Sequence, residues 1–130
     1  MAGAKQEVVA SRAIGAWGEQ AAAEYITQLG WQLVAQNWRC EWGEADLIAL
    51  EPVADQAPIG VIIEVKTRSG LNYGYPLEAI TWDKRVRLYQ LARQWQRGHQ
   101  GRLSNIRVDA IGVLKQPGQL LELTHLRGIQ

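Results

Sequence analysis

A chain of 130 residues that is 47% hydrophobic has room for one domain with a sizeable core, and its net charge of +1 says nothing by itself about nucleic acid. A single cysteine, Cys40, excludes an internal disulfide, and two distant histidines, His99 and His125, make a poor zinc site. No apolar run is long enough to span a bilayer and residues 1–10 lack a signal-peptide core, so a cytoplasmic location and no membrane partner are expected.

In chain order, residues 1–10 read as a flexible arm and residues 11–130 as one domain. Ile14, Trp17, Ala21, Ala22, Tyr25 and Leu29 recur at helical spacing from Ser11 onward, with Gly30 as the stop. Glu19 sits on the flank of that stripe and can look toward a neighbouring sheet. Trp31 to Arg39 and Gly43 to Leu50 read as strands. Glu51 to Gly60, with two prolines, reads as a loop, and Val61 to Arg68 as a third strand, antiparallel to the second. After a Gly/Asn-rich loop, Leu77, Ile80, Leu88, Leu91, Ala92 and Trp95 give a helical pattern ending near Gly98, within which Thr81 can cap a fresh start. Arg107 to Leu114 and Leu120 to Leu126 are the last two strands, separated by a turn at Pro117-Gly118. The order implies an α/β fold, a mixed sheet of about five strands flanked by helices.

The chemistry concentrates in two strands. Along Val61 to Arg68, Ile62, Glu64 and Lys66 share one parity and Val61, Ile63 and Val65 the other. Same-face neighbours on a strand stand roughly 6–7 Å apart, so a carboxylate and an ammonium are set side by side against an apolar backing. Asp46 lies on the preceding strand. Ionised groups in such surroundings are costly unless they are paired or bind a metal. The bland alternative is a same-face salt bridge between Glu64 and Lys66 on a solvated strand. Asp46, Glu19 and the basic stretch downstream weigh against it.

Charge is unevenly spread. Residues 1–65 carry three Lys/Arg against nine Asp/Glu, whereas residues 66–107 carry nine against two. An acidic cluster able to hold cations thus precedes a basic stretch able to hold phosphates. Phosphodiester hydrolysis needs a nucleophilic water, relief of phosphoryl charge and stabilisation of the leaving oxygen, all of which a divalent ion can assist. Mg²⁺ (or Mn²⁺) suits one or two carboxylates plus carbonyl and water oxygens, here Asp46, Glu64 and the Val65 carbonyl. Lys66 is placed to orient the attacking water or to stabilise charge on the phosphate, and Glu19 to act as a further ligand or to orient that water.

Arg68, Lys84, Arg85, Arg87 and Arg93 are candidates for phosphate contact, Arg68 equally for a structural ion pair. Arg107 and Asp109 share a strand face and suit an internal pair. Trp17, Trp31 and Trp95 read as core; Trp38 and Trp42 are as suited to stacking on unpaired bases as to packing. His99 and His125 are assigned no catalytic role.

Gly18-Glu19-x-x-Ala22, Gly30-Trp31, Asn37-Trp38-Arg39, Gly43-Glu44-x-Asp46-Leu47-Ile48, Glu64-Val65-Lys66-Thr67-Arg68, Gly74-x-Pro76-x-Glu78-Ala79, Lys84 and Arg107-x-Asp109 occur in that order. Together they resemble the YraN, or UPF0102, family of small bacterial proteins. That family is similar to the PD-(D/E)XK nucleases, in particular to archaeal Holliday-junction resolvases. The resemblance runs from about Arg12 to Leu126. It implies a restriction-endonuclease-like core in which Asp46 and Glu64 are metal ligands, Lys66 the catalytic lysine and Glu19 the helix-borne acid. Glu44 belongs to the family's own motif; on a regular strand it shares a face with Asp46 and either supports that acid or holds another ion. The activity implied is metal-dependent hydrolysis of DNA, at branched or distorted structures, with a homodimer suited to junctions. The alternative is a non-catalytic module that binds nucleic acid or a protein partner and keeps the same fold.

Overall fold

The computed structural model describes residues 2–72 and 74–130, with side chains from Ala13 onward; the arm assigned to residues 1–10 lies outside those described side chains. Helix α1 (Ala2–Gln28) is followed by β1 (Gln32–Cys40), β2 (Gly43–Val53), β3 (Gln56–Arg68), a 3₁₀ turn (Pro76–Ala79), α2 (Trp82–Gly98), β4 (Asn105–Leu114) and β5 (Glu122–Leu126). The strands form one sheet in the order β1-β2-β3-β4-β5. All neighbours are antiparallel except β3 and β4, which run parallel because α2 carries the chain back between them. This α/β layering, an open mixed sheet with one helix on each face, is consistent with a restriction-endonuclease-like core.

Each face has its own core. Ala22, Ala23 and Ile26 of α1 pack with Trp31, Leu47, Ala49, Val61, Ile63, Val65, Ile111 and Val113. Leu88, Leu91, Ala92 and Trp95 of α2 pack with Ala45, Ile48, Ile62, Ile106 and Val108. Strand β3 is covered on both faces, which is why its sequence is nearly continuous in apolar residues.

Three expectations are corrected. The buried line of α1 runs through Gly18, Ala22, Ala23 and Ile26, while Trp17 and Leu29 are exposed. Small residues win the interface because they let the helix axis come close to the sheet, which the larger side chains would prevent. Trp17, assigned to the core, is therefore 43% exposed, whereas Trp31 and Trp95 are buried as expected. The segment Glu51 to Gly60 is not a loop but the tip of the β2–β3 hairpin, turning at Ala54-Asp55. Its prolines are tolerated because Pro52 falls at a register shift between Glu51 and Val53, where a ladder donor is dispensable. Leu77 belongs to the 3₁₀ turn rather than to α2, which begins where the Thr81 side chain accepts a bond from the Lys84 N–H at 3.2 Å, as the capping expectation requires. Among the described residues, no helix is long and apolar enough to cross a membrane.

Candidate metal and phosphodiester site

The sheet opens at one point. Pairing of β2 with β3 begins at Leu47 with Ile63 and runs toward the hairpin tip. In the other direction β1–β2 pairing continues to Cys40 with Gly43, and β3–β4 pairing continues to Arg68 with Leu114. Beyond Leu47 and Ile63, then, the two halves of the sheet part. Asp46 stands in the crotch of this fork. Its Oδ2 accepts the Val65 N–H at 2.7 Å, so a side chain takes the place of the next rung of the ladder. Regular alternation also lapses here, because Ala45 and Ile48 both pack toward α2.

Glu64 points to the α2 side and is 4% exposed. Its Oε1 lies 3.3 Å from Lys66 Nζ and 2.9 Å from Lys84 Nζ. Burial pushes the Asp46 carboxyl up, and the nearby Glu64 charge adds to it; the Val65 N–H opposes, leaving a value of about 7. Glu19 is also raised, first by burial and then by the charge of Glu44, with Asp46 partly offsetting. Burial works against the Lys84 ammonium, but its bond to Glu64 and the acidic surroundings hold it above the ordinary lysine value. These mutual effects bring Glu19, Asp46, Glu64, Lys66 and Lys84 into one electrostatic unit.

Glu19 reaches this unit because of the residue before it. A Cβ at Gly18 would overlap Thr67 Oγ1 and lie 2.8 Å from the Thr67 Cβ, so only glycine lets α1 rest on β3 at this height. The two motif halves, Gly18-Glu19 and Lys66-Thr67-Arg68, meet through that contact. Glu19, Val65, Thr67 and Arg68 then line a common cleft. Gly18→Ala is expected to lift α1 and withdraw Glu19. Urea unfolding should show a loss on the order of 1–3 kcal/mol, the usual cost of overpacking, with a larger fractional loss in any activity of the fork. Wild-type stability and activity in that variant would contradict the role of the contact.

The other candidates fall into place as follows. Glu44 pairs with Arg39 at 2.8 Å on the β1–β2 hairpin and acts on the site through its charge on Glu19. Val65 contributes its N–H to Asp46, in addition to the carbonyl assigned to it. Lys84, expected to contact phosphate, reaches inward to Glu64 instead. Arg68 Nη1 donates to the Thr67 carbonyl at 3.1 Å, while its Nε and that of Arg85 are shielded from solvent without a hydrogen-bond partner. Arg87 and Arg93 are exposed on α2.

The donor set fits a hard cation. Asp46, Glu64 and Glu19 supply only oxygen, and Mg²⁺ is commonly held by one or two carboxylates completed by water and substrate. Glu64 is a buried acid and Asp46 a half-buried one beside it; their charges repel, and a divalent cation would relieve that repulsion. Among the described residues no three Asp, Glu, His or Cys side chains form a ready-made cage, so substrate or water oxygens would have to complete it.

The Asp46 shift has a consequence for the metal-free protein. Its folded value lies above the ordinary carboxylate value of about 3.9, so the unfolded chain gives up the proton first. Stability therefore falls as pH rises from about 4 to about 7 and levels off above. In EDTA, Asp46→Asn is expected to be more stable than wild type at pH 8 by a few kcal/mol and indistinguishable from it near pH 4. Urea unfolding across that range checks this, and equal curves at pH 8 would contradict it.

Residues 18–113 match the signature of UPF0102, an uncharacterised protein family. The chain belongs to the UPF0102 family. A UPF0102 protein of Nocardia farcinica is 42% identical over 118 residues, covering 91% of this chain and 89% of its own. One from Herpetosiphon aurantiacus is 44% identical over 122 residues, covering 91% and 94%. One from Clavibacter michiganensis is 46% identical over 101 residues, covering 78% and 81%. The family match spans every residue of the fork, from Gly18 and Glu19 to Lys84, and stops before β5.

A second polar cluster extends the expected Arg107–Asp109 pair to residues distant in sequence. On the α1 side of the sheet, Tyr25 Oη lies 2.9 Å from His125 Nδ1, and His125 Nε2 lies 2.8 Å from Asp109 Oδ2. Arg107 Nε donates to Asp109 Oδ1 at 2.7 Å and Arg107 Nη1 to Glu51 at 2.6 Å. The Arg107–Asp109 pair is thus the internal one expected, but His125 and Tyr25, 100 residues apart in sequence, gave no local signal. Burial works against the Asp109 charge, yet the His125, Arg107 and Gly128 N–H bonds together hold its carboxyl below the usual range.

Proposed function

We propose that the fork is the centre of a divalent-metal-dependent nuclease that hydrolyses DNA phosphodiester bonds, at branched or otherwise distorted structures. The observation that carries this reading is the half-buried Asp46 carboxyl, raised to about 7, beside a buried Glu64 and two lysines at the point where the sheet parts. Asp46 and Glu64 would hold Mg²⁺ or Mn²⁺. The chemistry such an ion supplies when bound is neutralisation of phosphoryl charge and activation of water.

The chain's own groups do the rest. Asp46 is fixed by the Val65 N–H, so its other oxygen is presented in a set direction. Lys66 and Lys84 both pair with Glu64 and offer positive charge where it develops on phosphorus-bound oxygens. Glu19, raised by burial and by the Glu44 charge, is a stronger base than an ordinary glutamate and is placed to orient a water. Arg68 lines the cleft beside Glu19, where its guanidinium charge favours a phosphate. Acting on chromosomal DNA places the protein in the bacterial cytoplasm, and coordinated cutting of two strands at a junction calls for a symmetric homodimer.

A second reading is a non-catalytic nucleic-acid- or partner-binding module. The observation that favours it is that Glu64 is already satisfied by two ammonium groups. The experiment that separates the two uses labelled single-stranded, duplex, forked and four-way-junction DNA with Mg²⁺, Mn²⁺ or EDTA. Cutting in the first two conditions and not the third is expected. Salt-sensitive binding that is indifferent to metal, with no cutting of any substrate, would establish the module instead.

A further inference from the structure

Outside the fork, the least explained feature is the start of α2. Trp82, its first residue, is 71% exposed, the most exposed aromatic side chain among the described residues. An indole in water forfeits the burial that normally stabilises it. Val86 and Tyr89 follow at helical spacing, and with Trp82 they line a groove shared with Arg85 and Gln130.

Charge and position identify the occupant. Helix α2 carries Lys84, Arg85, Arg87, Arg93 and Arg97 against Asp83 alone. Trp82 shares the first turn of α2 with Lys84, which points inward with its ammonium 2.9 Å from Glu64, while Trp82 projects outward from the same turn. Arg87 leans on the β1–β2 turn, its Cδ 3.8 Å from where a Cβ on Gly43 would stand, next to Trp42, which is 42% exposed. A polyanion leaving the fork would meet cations and aromatic faces in turn. Two copies of this chain meeting here would bring like charges together.

We propose that this face is a platform for unpaired bases: Trp82 stacks on a base adjoining the segment held at the fork, and the Arg85 side chain that shares its groove meets the backbone phosphate. This rests on the nucleic-acid reading of the fork and adds the substrate class, a single strand or one unpaired at a flap or fork. In a continuous duplex the base faces are stacked on one another and cannot be offered to an indole.

The test is fluorescence anisotropy in EDTA at fixed salt, with a labelled oligothymidylate and a blunt duplex of the same length. Trp82→Ala should weaken oligothymidylate binding roughly tenfold and leave duplex binding nearly unchanged, and Trp82→Phe should restore most of the loss. Equal weakening on both substrates, no weakening on either, or failure of the wild type to bind oligothymidylate would overturn the platform. So would a loss of self-association in Trp82→Ala, read by size-exclusion chromatography, with DNA affinity intact; that would assign the face to a second copy. Because the assay contains no metal, a wild type that binds as expected but never cuts defeats the nuclease reading alone. A wild type that cuts while Trp82→Ala binds normally defeats the platform alone.

Discussion

Glu64→Gln should fold, retain DNA binding and cut DNA on the order of 10²- to 10³-fold more slowly than wild type. That is the loss expected when a charge-stabilising contribution of several kcal/mol is removed from the transition state. The isosteric amide keeps the packing of a side chain that is 4% exposed, so a structural collapse is not the expected cause. It removes the counter-charge shared by Lys66 and Lys84, whose side chains are 24% and 37% exposed and can turn to solvent. DNA binding in EDTA is therefore expected to hold or to strengthen, since two freed ammonium groups face the substrate. Parallel rate and binding measurements check the split. A rate loss matched by an equal loss of affinity would mean that Glu64 only shapes the surface.

The second large effect lies outside the fork. Arg107→Ala leaves Asp109, which has no solvent exposure, with His125 and the Gly128 N–H as its partners and strips Glu51 of its closest cation. Breaking one side of such a buried pair costs about 3–5 kcal/mol, a large part of the 5–15 kcal/mol that keeps a domain folded. The pH dependence follows from the lowered Asp109 value. The stabilisation is fully present above the ordinary carboxylate value and is lost as pH falls through the lower, folded one. The gap between wild type and Arg107→Ala should thus be wide at pH 7 and narrow in acid. A gap below about 1 kcal/mol at pH 7, the range of exposed pairs, would show that the network is only decorative.

The comparison of sequence with structure turns on which interactions are local. Parity along Val61 to Arg68 was enough to set Glu64 and Lys66 on one face, and their contact at 3.3 Å follows from it. Thr81 could be read as a cap because a cap is written in four consecutive residues. The fork could not be read, since a side chain that replaces a ladder rung breaks the very alternation used to find strands. Lys84 looked like a surface cation because nothing local shows that the α2 crossover returns it to Glu64. The stripe on α1 is legible at Ala21, Ala22 and Tyr25, which pack on the sheet, but not at its ends: Trp17 and Leu29 are exposed, and the close contact falls on Gly18, whose smallness no hydrophobic periodicity reveals. The Tyr25–His125–Asp109 chain joins α1, β5 and β4, and no window of sequence contains it.

These observations make the fork the claim to test first. The most direct measurement is a time course of forked-DNA cleavage in Mn²⁺ by wild type and Asp46→Asn, purified in parallel. Asp46→Asn removes the charge of the carboxyl that β2 and β3 part to hold, without changing its size. Cutting by the wild type and none by Asp46→Asn, with both proteins folded, is the result expected of a metal-dependent nuclease centre. Undiminished cutting by Asp46→Asn would contradict it.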